Sequence, residues 1–156
     1  MPQLDQTDKD ILKLLQQNAK IPHKEIAEKL HLTRTPIFER IRKMERSGII
    51  NKYITLLNPK KINRGLTVFC HVSLTRHGKS YVDEFQEKIN TFPQAMECYH
   101  IAGNYDFFIK VVVKDMEHYQ QFVLKELSTI QNISNIQSSF VMGELKHEHC
   151  YDLKDL

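Results

Sequence analysis

Only three residues, His31-Leu32-Thr33, separate two stretches of helical periodicity near the N-terminus, and that brevity constrains the fold more than any other feature of the chain. Before the gap, Pro22 stands at the start of a short helix, His23 to Leu30, whose Ile26, Ala27 and Leu30 share one face. After it, a helix from about Arg34 to Arg46 carries Ile37, Ile41 and Met44 as its inward stripe, and Gly48 just past its end is a natural stop. An earlier helix runs to about Asn18, with Asp5 or Thr7 able to cap it and Leu4, Ile11, Leu14 and Leu15 at helical spacing. Helix, helix, three-residue turn and helix is the spacing of a helix-turn-helix.

Beyond Gly48 the pattern changes. Ile49, Ile50, Tyr53, Ile54, Leu56 and Leu57 are rich in β-formers and suit a wing or extended strand beside the three helices. The stretch NPKKINRG, Asn58 to Gly65, then reads as a linker. From Leu66 the chain alternates strands with helices. Leu66, Val68, Cys70, Val72 and Leu74 recur at every second residue; Tyr81, Val82, Phe85 and Ile89 mark a helix, and Ala95 to Ala102 a strand. Asp106 to Val113 is a β-branched strand, Tyr119, Phe122, Val123 and Leu127 a second helix, and Ile133 to Met142 a last strand. The order β-α-β-β-α-β is that of a ferredoxin-like split βαβ unit. The expected architecture is therefore α+β, with a helix-turn-helix over 1–57, a linker over 58–65 and the ferredoxin-like unit over 66–156. Two helices can cover only one face of such a sheet. The other, with Phe69, His71, Tyr99 and Phe108, needs a partner, and a homodimer is the expected answer.

Charge divides along the same line. Residues 1–65 hold 14 Lys and Arg against 7 Asp and Glu, a net of +7; residues 66–156 hold 8 against 12, a net of −4. A basic first part joined to an acidic second part suggests that one end meets a polyanion, with nucleic acid the leading candidate. No apolar run reaches the length of a membrane span and no secretory leader is visible, so a cytoplasmic protein is expected. The three cysteines form no CxxC pair, and Cys70 and Cys98, lying in strand-like runs, are expected as buried thiols.

On the third helix each residue steps by about 100°. With Ile37, Ile41 and Met44 inward, Thr35, Glu39, Arg42 and Arg46 face outward, flanked by Phe38 and Lys43. Arg and Lys neutralise phosphates or bond guanine acceptors and Glu accepts from the cytosine amino group, so this face holds what major-groove reading needs. Arg34 and Thr35, at the end of the helix that usually meets bases, are the first candidates for specificity. Thr33 caps the helix if Pro36 is its third residue; alternatively Thr35 caps it with Pro36 first.

The blocks LDQTDKDILKLLQQNAK from Leu4, EIAEKLHLTRTPIFERIRKMERSGII from Glu25, LLNP from Leu56 and HIAGNYDFFIKV from His100 together resemble the Lrp/AsnC family, the leucine-responsive or feast/famine regulators. The resemblance covers nearly the whole chain. It implies a winged helix-turn-helix followed by a RAM or ACT-like α/β domain, sequence-specific binding to double-stranded DNA, and no catalytic activity or cofactor. It implies dimers built by packing the C-terminal sheets, assembled further to tetramers or octamers, with an amino acid or related effector bound between dimers. By the same resemblance the effector site would include Gly103, Asn104, Tyr105 and Asp106 of the turn and Gln137, Ser138 and Ser139 of the last strand. Gly103 permits a positive-φ turn, and Asp106 can engage an ammonium group. A plain turn between strands asks for the same residues with no ligand. The chain departs from the family pattern at Asn104, where an acidic residue is common, and at Gly143, where Glu often stands.

Two rivals remain open at this level. Sirohaem decarboxylases resemble the same family but have no use for a basic recognition helix, and a pure sensor would have lost DNA binding. His147-Glu148-His149-Cys150 looks like a soft metal cluster, yet with no second ligand group a solvated tail or terminal strand is the expectation and no metal site is assigned. His71 and His100 are expected as core or interface residues.

Overall fold

In the computed structural model, which describes residues 4–154, local sequence signals set the ends of the first three helices. The first, α1, spans Gln6–Gln17. Asp5 is its N-cap: the Asp8 amide donates to the Asp5 carboxylate at 2.8 Å, and the Asp5 amide donates to the Asp8 carboxylate at 3.3 Å, a reciprocal capping box. The second, α2, is His23–Lys29, and the third, α3, is Arg34–Arg46. Between them the chain reverses through a Schellman motif, in which the Leu32 amide donates to the Ala27 carbonyl at 2.9 Å and the His31 amide to the Glu28 carbonyl at 3.3 Å. His31 takes the left-handed conformation there, φ 54°, where glycine is the usual residue. Gly48, φ 75°, ends α3 as expected.

These helices share one core, built from Ile11, Leu12, Leu15, Ile21, Ile26, Ala27, Ile37, Ile41 and Met44. Leu153 joins it. The second unit was expected to run to the C-terminus, but the chain from Lys146 on groups with the helices, while the sheet unit spans Leu57–Leu145. Nor is this segment a solvated tail or a strand. The Tyr151 amide donates to the Gln16 side-chain oxygen at 2.7 Å, and the Gln16 side-chain amide donates back to the Tyr151 carbonyl at 3.2 Å. Leu153, only 7% exposed, fills the core beneath. No periodicity announces this, because the contact is between residues some 135 positions apart.

The wing expected after Gly48 is present as extended, irregular chain without a strand, and Ile54, Leu56 and Leu57 stay exposed. A strand needs a neighbour for its backbone groups, and no other described segment of this unit supplies one. The linker contains a short 3₁₀ turn, Pro59–Ile62, capped by Asn58.

The second unit contains β1 (Leu66–Leu74), α4 (Lys79–Ile89), β2 (Ala95–His100), β3 (Phe107–Val113), α5 (Met116–Lys125) and β4 (Ile133–Phe140). The sheet order is β2-β3-β1-β4 with every pair antiparallel, as a split βαβ unit requires. Val68, Cys70, Val72 and Leu74 of β1 face the helices together with Phe107, Ile109, Val111 and Val113 of β3. Phe85 of α4 stacks on Phe107 with ring centroids 4.0 Å apart, and Phe122 of α5 is fully buried. Cys70 is buried as expected, but Cys98 is exposed. Its register partner Ile109 shows that it faces the helix side. β2 is an edge strand, however, and the helical cover does not reach it.

Candidate functional site

The α3 face develops from the core outward. Burial of Ile37, Ile41 and Met44 fixes the helix rotation, and Thr33, Arg34, Thr35, Phe38, Glu39, Arg42, Lys43 and Arg46 are all exposed in consequence. Thr33 occupies the N-cap with extended backbone, which puts Pro36 third in the helix, although the Thr33 hydroxyl makes no capping bond. Arg34, Arg42, Lys43 and Arg46 form no salt bridge with any described residue. Their charge is therefore free to act on an external polyanion. Two shallow hollows of about 420 and 590 Å³ share Phe38 as a wall; one runs toward Arg34 and Thr35, the other past Glu39, Arg42 and Lys43 to Arg46. The Arg42 guanidinium lies over the Phe38 ring, 4.9 Å from its centroid, and the His23 ring of α2 backs the same ring at 5.8 Å.

Arg40 behaves differently. It lies between Ile37 and Ile41 on the inward side and grips α1, bonding Asp5 at 2.6 Å and Asp8 at 2.7 Å. The Asp8 and Asp5 carboxylates raise its pKa, and the Asp8 amide and Arg40 together hold the Asp5 carboxyl below its ordinary range. The reading helix is thus pinned to the N-terminus of α1. Its place on the inward stripe, three residues after Ile37 and four before Met44, is the signal from which this role was legible. The packing of His23 on Phe38 carried no comparable signal.

In the sheet unit the expected effector residues separate into three environments. Gly103, at φ 146°, opens the turn between β2 and β3, where an added Cβ would meet nothing but would be strained by the backbone. Tyr105 donates its hydroxyl to the Gln137 side-chain oxygen and packs against the His71 ring at 5.0 Å, so turn and last strand meet on the open side of the sheet. Gln137 is the register partner of His71 and Ser139 that of Phe69, which puts both on that side, and the Asn104 carbonyl accepts from Ser73.

Ser138 points the other way. It hydrogen-bonds the Tyr119 hydroxyl, which also lies 3.2 Å from the Cys70 sulfur, and burial pushes up the pKa of both the Cys70 thiol and the Tyr119 phenol. Asp106 is fully engaged within the chain. One oxygen accepts the Leu74 amide at 2.7 Å and the other lies 2.9 Å from His77 Nδ1, while its backbone ties β1 to the end of β2. The open face itself carries Phe69 stacked on Phe108, centroids 5.1 Å apart, with His71 edge-on to Phe108 and Tyr99 half-exposed. Among the described residues no group of three or more His, Cys, Asp or Glu is placed to hold a metal.

The family model for the Lrp/AsnC ligand binding domain matches residues 67–149, and a winged helix-turn-helix DNA-binding model matches residues 4–51. The chain is 35% identical to the transcriptional regulator AzlB of Bacillus subtilis over 92% of its own length and 91% of that protein. It is 30% identical to the leucine-responsive regulatory protein of Klebsiella pneumoniae, covering 94% of this chain and 89% of that one. Among solved structures, a Neisseria meningitidis transcriptional regulator in complex with L-Met superposes with a TM-score of 0.93 at 32% identity, over 98% of this chain and 99% of that one. Escherichia coli AsnC superposes at 0.86 with 25% identity, over 93% and 96% of the two chains.

Proposed function

Because this chain belongs to the Lrp/AsnC family of transcriptional regulators, we propose that α3 reads operator DNA and that a small amino-acid-type effector on the second unit adjusts the binding. It is a regulator with a DNA-binding helix-turn-helix and a ligand-binding domain, and its relatives are regulators rather than enzymes.

One observation carries the DNA assignment. An outward face bearing Arg34, Arg42, Lys43 and Arg46 follows a tight turn, and none of these cations is neutralised within the described chain. Such a face releases counterions from a duplex while its side chains reach base edges. Thr33, Arg34 and Thr35 sit at the end of α3 that enters the groove first, and Phe38, Glu39, Arg42, Lys43 and Arg46 follow along it.

The effector reading rests on the open side of the sheet. Gly103, Asn104 and Tyr105 meet Gln137 and Ser139 there, and the L-Met complex of the Neisseria relative makes an amino acid the first ligand to test. Asp106 and Ser138 serve this surface from behind, one holding the turn and the other bonded into the core. The aromatic open face buries itself against a second copy, and dimers assemble further to tetramers or octamers. An effector that binds one assembly better than another shifts DNA affinity by that difference alone. Among the described residues no helix is long and apolar enough to cross a membrane, consistent with a protein acting on DNA in the cytoplasm.

The test is selection of bound duplexes from a random library, then affinity at several salt concentrations with and without each amino acid. Arg42→Ala with Lys43→Ala should weaken binding and flatten the log–log salt slope by about 2. An unchanged slope in that variant refutes the assignment of this face.

A further inference from the structure

Phe38 has no explanation in the folding of the helical unit. The core stripe of α3 is complete with Ile37, Ile41 and Met44, and Phe38 stands beside it, 43% exposed, in a row with Arg34 one turn before and Arg42 one turn after. An apolar ring midway along a cationic row gains nothing from water. It is nevertheless held in place, with the His23 ring on one side at 5.8 Å and the Arg42 guanidinium on the other at 4.9 Å. The hollows on either side leave it projecting as a ridge between them.

From this arrangement we infer that Phe38 is a specificity-determining residue that reads a thymine by its C5-methyl group, while the ring holds Arg42 aimed at a guanine in a neighbouring base pair. The inference rests on the DNA-reading role of α3 proposed above. The cations at positions 34 and 42 draw the row against a duplex, and among major-groove base edges the thymine methyl is the apolar group. A ring presented there removes both itself and the methyl from water. Arg42, stacked on the ring, keeps its N–H donors directed along the groove, as paired contacts to guanine O6 and N7 require. Each half-site should therefore contain a T·A pair whose methyl matters, close to a G·C pair that Arg42 reads.

Uracil substitution isolates the methyl, since it deletes that group and leaves every hydrogen-bonding edge unchanged. Using the full-length protein and the duplex recovered by selection, each thymine is replaced by deoxyuridine in turn. One position per half-site should weaken binding by about fourfold, the worth of one buried methyl-sized group. In Phe38→Ala that position should become insensitive, with the salt slope unchanged because no phosphate contact is lost. Phe38→Leu should keep the uracil sensitivity but lose part of the guanine preference, because it retains an apolar contact and removes the ring under Arg42. Wild-type binding indifferent to uracil at every position overturns the inference while leaving DNA reading intact. So does an alanine variant that keeps the sensitivity. A wild-type protein that retains no duplex above competitor overturns the regulatory reading itself, and this inference with it.

Discussion

Leu153→Ala tests whether the C-terminal segment is a structural part of the helical unit. The side chain is 7% exposed and touches a core that includes Ile11, Leu12, Leu15 and Ile41. Leucine-to-alanine changes in closed cores cost about 2–5 kcal/mol, the upper range arising where the cavity cannot collapse. Here the lower end applies for a specific reason. The segment is terminal and can detach, so the loss cannot exceed the free energy of docking it. That docking comprises about 2 kcal/mol from burying one leucine and two neutral, exposed hydrogen bonds between Gln16 and Tyr151, each worth about 1 kcal/mol or less, set against the entropy of ordering the segment. The expected loss is about 2 kcal/mol, or a fall of about 8–16 °C in the helical unit's transition at 4–8 °C per kcal/mol. Thermal and urea unfolding followed by circular dichroism measures it, with the sheet unit's transition as internal reference. Removing the chain from Lys146 onward should cost about as much as the single substitution, because both end with the segment released. A loss below about 0.5 kcal/mol, or a substitution far more damaging than the truncation, would refute the reasoning.

Arg40→Ala should destabilise the helical unit by about 2 kcal/mol by urea denaturation, since it leaves the buried Asp8 carboxylate without its cation; the one-third exposure of Arg40 keeps this below the 3–5 kcal/mol of a fully buried pair. Acid titration of stability should show a loss below about pH 4. Asp5 and Asp115 both have pKa values held below the ordinary carboxylate range, chiefly by backbone amides at the Asp8 and His118 caps, so their contribution is complete above the unfolded value and disappears as pH falls through the folded one. Asp5→Asn should blunt that dependence in a series of urea midpoints from pH 7 to 3. Phe85→Ala, which removes a ring stacked on Phe107, should cost the sheet unit about 3–5 kcal/mol in the same assay. Phe69→Asp should convert the oligomer to smaller species in sedimentation velocity, and an unchanged sedimentation coefficient would count against the open face as the subunit interface.

Period and punctuation alone determined most of the architecture. Apolar spacing placed five helices and four strands, Gly48 and the His31-Leu32-Thr33 gap fixed the helix-turn-helix, and the inward stripe of α3 dictated which of its side chains meet solvent. These features depend on residues within a few positions of one another, where backbone geometry makes pattern equivalent to direction. Contacts between distant residues belonged to the tertiary structure. Only the folded chain seats Leu153 among the helices, joins Arg40 to Asp5 and Asp8, leaves Cys98 exposed on an edge strand and the post-Gly48 segment without a pairing partner. It also separated the expected effector residues, turning Ser138 to the core side while Gln137 and Ser139 face the other, and engaging both oxygens of Asp106. Alternation along a strand says that neighbours point opposite ways. Which way is the inside is decided when the helices pack.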